Sequence, residues 1–202
     1  MPEKLFLASA SPRRIALLRE AGLGAIPRPS GIAEIALRGE SPSDHVLRLA
    51  EEKGLGALRV LLEEGESGLV LAADTAVVLD GAILGKPENG ADALRMLRLL
   101  SGRTHRVLTG VFLARFPGGG RGARAVEETL VAFRAYDDSE AERYVETGEP
   151  LDKAGAYGIQ GLGAGLVLSV AGSRSNVVGL PMEILPGLFR DAGASWPPGA
   201  VR

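Results

Sequence analysis

The sequence predicts a mixed α/β fold, in which helices flank a β-sheet of parallel and antiparallel strands. Short apolar runs with strand character alternate with amphipathic helical stretches, a pattern typical of this class. Two long apolar stretches, 103–116 and 125–135, are separated by a proline and three glycines at 117–120, which indicates an antiparallel hairpin. Because 46% of the 202 residues are hydrophobic, the chain can bury a full core. We expect one domain over 1–202, either undivided or arranged as two lobes around a cleft.

The first helix has the clearest boundary signals. It is expected over 12–21, directly after a buried strand at 4–9, because Ser11 can cap its N-terminus and Pro12 suits its first turn. The later elements are assigned from their apolar period and from breaking residues at their ends. They are a helix at 42–64, strands at 69–73, 76–79 and 82–84, a helix at 92–100, the hairpin strands, a helix at 137–147, a glycine-rich segment at 148–165, an apolar run at 166–171, a helix at 181–191 and a frayed tail at 196–199.

Asp74 interrupts an apolar stretch, 69–78, that otherwise has the character of a buried strand. An ionised carboxylate that is buried without partners costs several kcal/mol or more. Two interpretations follow. Either the strand ends at Asp74 and the side chain caps a turn, or cations from elsewhere in the chain neutralise it.

Composition excludes several classes of function. A formal net charge of −2 argues against nucleic-acid binding, which needs a basic surface. The chain has no cysteine, and therefore neither a disulfide nor a thiolate metal site. No apolar run reaches the roughly 18 residues of a membrane span, and the N-terminus lacks a signal-peptide pattern. We expect a cytoplasmic protein that acts on small molecules.

Lysine is scarce: of 23 basic residues, four are lysines and the other 19 are arginines. Where arginine supplies nearly every surface cation, a remaining lysine can have a role that the rigid guanidinium cannot fill. Lys53 lies on the apolar stripe of the long helix, so its stem either packs at the edge of that stripe or directs the ammonium toward an anion. Lys86 follows a strand and is close in sequence to Asp74.

Two further segments are candidates for ligand binding. The segment SASPRR at 9–14 joins a strand to a helix N-terminus, where unpaired N–H groups favour phosphate. It is either an anion cradle or an ordinary helix cap with two solvated arginines. The segment DKAGAYGIQG at 152–161 contains Gln160, the only glutamine, whose amide could read the edge of a base. We favour a binding role for this loop, since loops carry much binding chemistry.

Other motifs are absent or carry no chemistry. The stretch 81–87 has three residues between its glycines and proline after its lysine, so it is not a P-loop. The stretch 158–165 lacks the dinucleotide pattern G-x-G-x-x-G. His45 and His105 are predicted to be structural.

Several segments together resemble the Maf family, whose bacterial members are nucleoside triphosphate pyrophosphatases. They occur in order along nearly the whole chain. They are SASPRR at 9–14, AADT at 72–75, ILGKP at 83–87, LSG at 100–102, TGV at 109–111, GEPLDKAGAYGIQG at 148–161 and NVVGLP at 176–181. The resemblance implies an elongated mixed α/β sheet with flanking helices and a central cleft, related to the inosine triphosphatases.

The resemblance also assigns roles to individual residues. Asp74 corresponds to the proton acceptor, and Arg13, Thr75 and Gln160 match the positions that select dTTP and UTP. The sister branch, which acts on 7-methyl-GTP, is less similar, because it has a bulky insertion before the arginines and an acid in place of the glutamine. The other polar positions of the implied cleft are Ser9, Arg14, Glu34, Lys53 and Lys86.

From this resemblance we expect Glu34 and Asp74 to hold a divalent cation, Mg²⁺ with Mn²⁺ as the alternative, and the chain to form a homodimer. The chain departs from the family pattern at two positions. Ala33 stands where an aspartate usually precedes the glutamate, and Gly54 stands where alanine usually follows the lysine. The expected reaction is hydrolysis of dTTP or UTP to monophosphate and pyrophosphate. The alternative is a nucleotide-sensing regulator of septum formation without turnover.

Overall fold

The described part of the chain forms one seven-stranded sheet, which is mixed as predicted. The structure is a computed structural model that describes residues 3–118 and 122–197. The sheet order is β2-β1-β3-β5-β6-β7, with β4 paired to β3; β1 is parallel to β2 and β3, and all other pairs are antiparallel. The strands are β1 (Leu5–Leu7), β2 (Ala25–Pro27), β3 (Gly68–Leu79), β4 (Ala82–Leu84), β5 (Thr104–Phe116), β6 (Ala123–Phe133) and β7 (Val167–Ala171).

Six α-helices flank the sheet within the described ranges. They are α1 (Pro12–Glu20), α2 (Pro42–Glu63), α3 (Gly90–Leu100), α4 (Asp138–Glu146), α5 (Arg174–Val178) and α6 (Leu185–Asp191). None of these helices has both the length and the apolar character needed to cross a membrane. The predicted elements are present apart from the break expected within β3, whereas β2 and α5 were not predicted. The last helix begins at Leu185 rather than 181, since 182–184 forms a 3₁₀ turn.

The prediction of two strands separated at Asp74 is wrong. Strand β3 continues through this residue, with Asp74 opposite Gly110 and Thr75 opposite Thr109 on β5. Strand β1 ends at Leu7, which pairs with Leu71, so β3 extends beyond its parallel neighbour. A crevice therefore opens at the carboxyl end of β1, which is a common ligand position in α/β sheets. Asp74 lies on the part of β3 that borders it.

Helix α2 packs directly on the backbone of β5. A Cβ atom added to Gly110 would lie 2.3 Å from the carbonyl oxygen of Val46, so only glycine allows this approach. Likewise, a Cβ atom at Gly54 would lie 2.3 Å from Cδ1 of Phe112. A side chain at position 54 would therefore collide with the Phe112 ring in its present position. This packing fixes the neighbouring Lys53 over the sheet.

Buried apolar residues in the described part of the chain form four clusters, of which one surrounds α1 and α6 and another surrounds α3 and α4. Around α1 and α6, Phe189 packs edge-on against Trp196 with ring centroids 4.9 Å apart, so the predicted tail is folded at Trp196. Positions 198 and 199 of that tail, and 119 and 120 of the predicted hairpin turn, lie outside the described residues. Around α3 and α4, buried His105 contacts Tyr157 through Nε2 and Oη at 2.7 Å. Burial lowers the pKa of His105 to about 4, which fits the structural role predicted for it.

Candidate active site

All nine residues predicted for the site line one cleft of about 460 Å³, a volume typical of small-molecule sites. The cleft lies between the N-terminus of α1, the middle of β3, the loop that precedes α2 and the glycine-rich segment. These residues are Ser9, Arg13, Arg14, Glu34, Lys53, Asp74, Thr75, Lys86 and Gln160.

Lys53 connects the two acidic residues of the cleft. Its ammonium Nζ donates to Oδ1 of Asp74 at 2.5 Å and to Oε1 of Glu34 at 2.6 Å. Asp74 and Lys53 are only 6% and 9% exposed, so their charges depend on each other for stabilisation. Of the two interpretations of Asp74, neutralisation by cations is therefore the correct one. Lys53 directs its ammonium to anions instead of packing only its stem.

Glu34 lies on the long loop between β2 and α2. Burial opposes its ionisation, but the hydrogen bond and charge of Lys53, together with the charges of Lys86 and Arg14, lower the pKa of Glu34 overall. The loop is anchored to α2 by Arg48, which donates to the backbone carbonyl of Ile35 at 2.9 Å and to both oxygens of Glu40. The cleft therefore contains a second ionised carboxylate next to Lys53.

Arg14 is held by three acceptors from three separate segments. Its guanidinium donates to Oγ of Ser9 at 3.2 Å, to Oγ1 of Thr75 at 3.1 Å and to the backbone carbonyl of Gly179 at 2.7 Å. Burial lowers the pKa of Arg14, while the charges of Asp74 and Glu34 act in the opposite direction. A guanidinium stays protonated at neutral pH, so it supplies a fixed positive charge to the cleft. Its helix α1 begins as predicted, with Ser11 as the cap and Pro12 in the first turn.

A chain of hydroxyl groups determines which hydrogen bonds Thr75 can offer. Thr109 donates to the backbone carbonyl of Asn176 at 3.1 Å, and its Oγ1 lies 2.9 Å from that of Thr75. The hydroxyl proton of Thr109 is used in the bond to the Asn176 carbonyl, so the hydroxyl of Thr75 is the donor in the Thr75–Thr109 bond. Thr75 Oγ1 also accepts from Arg14. Toward a ligand, Thr75 can therefore only accept. Thr109 and the Gly179 carbonyl were not predicted as site residues, although both lie in the segments TGV and NVVGLP that carry the resemblance.

The other cations lie at the rim of the cleft. Arg13 donates to Oδ2 of Asp152 at 3.0 Å, and the other oxygen of Asp152 accepts from Lys153 at 2.6 Å. Lys86 is exposed and forms no ion pair with any residue in the described part of the chain. Gln160 is exposed on the glycine-rich segment. Asp152 and Lys153 were not predicted individually, since adjacent opposite charges are ordinary in loops.

The acids of the cleft fit a hard divalent cation. Among residues 3–118 and 122–197, no three acidic, histidine or cysteine side chains cluster as a complete metal cage. Mg²⁺ is commonly bound by one or two carboxylates together with substrate phosphates, so Glu34 and Asp74 could hold it with a nucleotide present. Ala33 adds no third carboxylate.

The class of site follows from its charges: it binds a polyanion beside a potential general base. The cations are a helix N-terminus, two arginines and two lysines, and they face a pair of carboxylates.

The Maf-like protein family matches residues 4–192, and the chain belongs to this family. It is 52% identical over 198 residues to the dTTP/UTP pyrophosphatase of Anaeromyxobacter dehalogenans (strain 2CP-C), covering 98% of both chains. It is 47% identical to the dTTP/UTP pyrophosphatase of Symbiobacterium thermophilum, covering 90% of both chains. Among solved structures, the Ham1 protein of Staphylococcus aureus has 16% identity and a TM-score of 0.44, with 82% of this chain and 80% of that chain covered.

Proposed function

We propose that this protein hydrolyses nucleoside triphosphates, dTTP and UTP in particular, to the nucleoside monophosphate and pyrophosphate. The observation that carries the proposal is the arrangement of Asp74, Lys53 and Glu34 in one cleft with the arginines of α1. Relatives of 45–52% identity over nearly the whole chain are named dTTP/UTP pyrophosphatase, which supports the same substrates here.

In the proposed mechanism the protein positions the triphosphate and stabilises its developing charge. Arg13, Arg14, Lys53 and Lys86 bind the phosphate oxygens, where the charge of the transition state is spread. Asp74 orients the attacking water and accepts its proton. The bond between the α- and β-phosphate groups is then broken, and pyrophosphate leaves.

We also propose that Glu34 and Asp74 hold Mg²⁺, with Mn²⁺ as the alternative. When bound, the cation neutralises phosphate charge. Lys53 already contacts both carboxylates, so its ammonium has to share them with the cation. We propose that the protein removes modified pyrimidine nucleotides in the cytoplasm, and that it forms the homodimer which the family resemblance implies.

Base selection is assigned to Thr75 and Gln160. Thr75 offers only a lone pair to the ligand, which suits the ring N–H of thymine or uracil and not the unprotonated ring nitrogen of cytosine. Gln160 can donate its amide N–H to a pyrimidine carbonyl. A site built on such bonds rejects bases that leave them unpaired.

Replacing Gln160 with glutamate should weaken dTTP and UTP hydrolysis in particular. The introduced carboxylate would face a carbonyl oxygen of thymine or uracil and has no N–H to donate to it. We therefore expect kcat/KM for these two substrates to fall about 30-fold, which corresponds to a loss of about 2 kcal/mol in transition-state stabilisation. Hydrolysis of dCTP should fall less, because its exocyclic amine can donate to the carboxylate. Steady-state assays with the three nucleotides check this, and an equal loss for all of them would argue against base reading by residue 160.

A substrate panel with product identification tests the function itself. Incubation with dTTP and Mg²⁺ should yield dTMP and pyrophosphate. Inorganic phosphate in place of pyrophosphate would indicate an ordinary phosphatase. Binding without product would support the regulator of septum formation, which is not favoured, because a sensor needs no carboxylate beside the triphosphate and the relatives are named as enzymes.

A further inference from the structure

Gln160 is exposed on a loop whose ends are anchored by the buried side chains of Ile159 and Leu166. The segment 158–166 is rich in glycine, and its residues 161–166 form a 3₁₀ turn directly after Gln160. A side chain that reads a base must be held within about 0.5 Å of its productive position, and a glycine-rich backbone does not supply that order by itself. An external support for this loop is therefore expected.

The carboxylate of Glu149 provides such a support. Its Oε2 accepts from the backbone N–H of Leu162 at 3.0 Å, and its Oε1 accepts from that of Gly163 at 3.1 Å. Oε1 also accepts the O–H of Tyr144 at 2.8 Å, and Oη of Tyr144 accepts from the backbone N–H of Gly158 at 3.2 Å. Glu149 and Tyr144, which we call the loop clasp, thus bind the backbone on both sides of Gln160.

The glycines of the loop are required by this clasp. A Cβ atom at Gly161 would lie 2.7 Å from Oε2 of Glu149, and one at Gly163 would lie 2.4 Å from Oη of Tyr144. Gly161 also has φ +73°, a conformation that glycine adopts at little cost. The glycines therefore admit the clasp to the backbone, rather than simply making the loop flexible.

Within the loop clasp, the Glu149 carboxylate is charged and Tyr144 is fixed by packing. Burial opposes ionisation of Glu149, but the N–H donors of Leu162 and Gly163 and the O–H of Tyr144 lower its pKa overall. Tyr144 is 6% exposed and packed in the core around α3 and α4. The backbone carbonyl of Glu149 in turn accepts from Lys153 at 2.5 Å.

The 3₁₀ turn Glu149–Asp152 also holds Arg13, which is another of the three positions associated with substrate choice. Asp152 accepts from Arg13, while Lys153 joins Asp152 to the backbone of Glu149. Gln160 and Arg13 are therefore attached to the two ends of one short 3₁₀ turn. A disturbance at Glu149 would move Gln160 relative to the rest of the site.

We propose that Glu149 is a positioning residue that sets base selectivity by fixing Gln160 through the loop clasp. It contacts no reacting atom, and its role rests on the proposed function of the cleft as a pyrimidine nucleotide site. Loss of its carboxylate should change which base is preferred. The binding of the triphosphate group should stay the same, because the contacts of Arg13 with Asp152 and of Lys153 with the backbone carbonyl of Glu149 do not use that carboxylate.

Binding of non-hydrolysable α,β-methylene analogues of dTTP and dCTP tests this proposal without requiring turnover. In Glu149→Gln, an amide N–H₂ group replaces one acceptor and faces backbone donors, so we expect the Kd ratio that favours the dTTP analogue to fall about tenfold. Affinity for inorganic triphosphate should be unchanged, and hydrogen exchange at Leu162 and Gly163 should accelerate. The matched control is Glu146→Gln, an exposed glutamate on α4 without a hydrogen bond to the described part of the loop, which should keep the wild-type ratio.

Two further variants make the outcome decisive. Tyr144→Phe keeps the buried ring but removes the hydroxyl, so it should reduce the same ratio by a smaller factor, even where Glu149→Gln does not fold. In a Gln160→Ala background, Glu149→Gln should change the ratio no further. Equal weakening of both analogues, or a full effect without Gln160, would overturn the positioning role.

Pyrophosphate release from dTTP by the wild-type protein separates this proposal from the proposed function. If the wild-type protein binds the dTTP analogue selectively but releases no pyrophosphate from dTTP, the proposed hydrolysis is wrong, and the role of Glu149 in base selectivity can still be tested. A wild-type protein that binds neither analogue would overturn both.

Discussion

Asp74→Asn should reduce pyrophosphate release by about 10³-fold, a loss typical of removing a general base. Asparagine has nearly the same shape, but its amide cannot take the proton of the attacking water. Lys53 keeps Glu34 as a partner, so we expect the variant to fold and to lose about 2 kcal/mol of its free energy of unfolding. Single-turnover hydrolysis of dTTP and urea denaturation measure the two effects separately.

Asp80→Asn is the matched control for this experiment. Asp80 follows directly on strand β3, is exposed and pairs with Arg103 at the surface. Its φ of 51° lies in the left-handed region, which asparagine tolerates well. The control should keep wild-type activity and stability. Near-normal pyrophosphate release by Asp74→Asn would remove Asp74 from the mechanism.

Asp74 could be predicted as a site residue because it violates a local rule. A carboxylate in a strand of apolar residues is costly without cations, so its presence points to partners elsewhere in the chain. Lys53 left a weaker signal, since a lysine on the apolar stripe of a helix either packs its stem at the edge of the stripe or directs its ammonium to an anion. The continuation of β3 through Asp74 was not predictable, because it depends on Lys53 arriving from α2 and on the ladder with β5.

The supports of the site left a weaker signal in the sequence. Arg14 is fixed partly by the backbone carbonyl of Gly179, and a carbonyl group is present in every residue. Glu149 is one of many glutamates, and its role follows from distances to backbone N–H groups that only the folded chain defines. Glycines were the available signal: at 110, 161 and 163 a side chain would collide with another segment. Spacing alone does not reveal which segment that is.

Lys53→Met should affect both stability and activity more than any substitution at the rim of the cleft. Methionine fits the helix and the apolar stripe, but it leaves the buried Asp74 carboxylate without its ammonium partner. Removing one member of a buried ion pair costs about 3–5 kcal/mol, so we expect a loss of about 3 kcal/mol in the free energy of unfolding. Activity should fall at least 100-fold, because a cation for the phosphates and the support of Asp74 are lost together. Urea denaturation and dTTP hydrolysis measure these changes.

The double variant Lys53→Met/Asp74→Asn distinguishes the electrostatic cause from lost packing. If the unpaired charge is the cause, adding Asp74→Asn should restore about 2 kcal/mol of stability, since no buried carboxylate then remains at this point. Activity should stay reduced by at least about 10³-fold, because the general base is missing. Lys4→Met, which removes an exposed lysine paired with Glu66, should change stability by less than about 1 kcal/mol. If the double variant is less stable than Lys53→Met alone, the unpaired Asp74 carboxylate is not the cause of the stability that Lys53→Met loses.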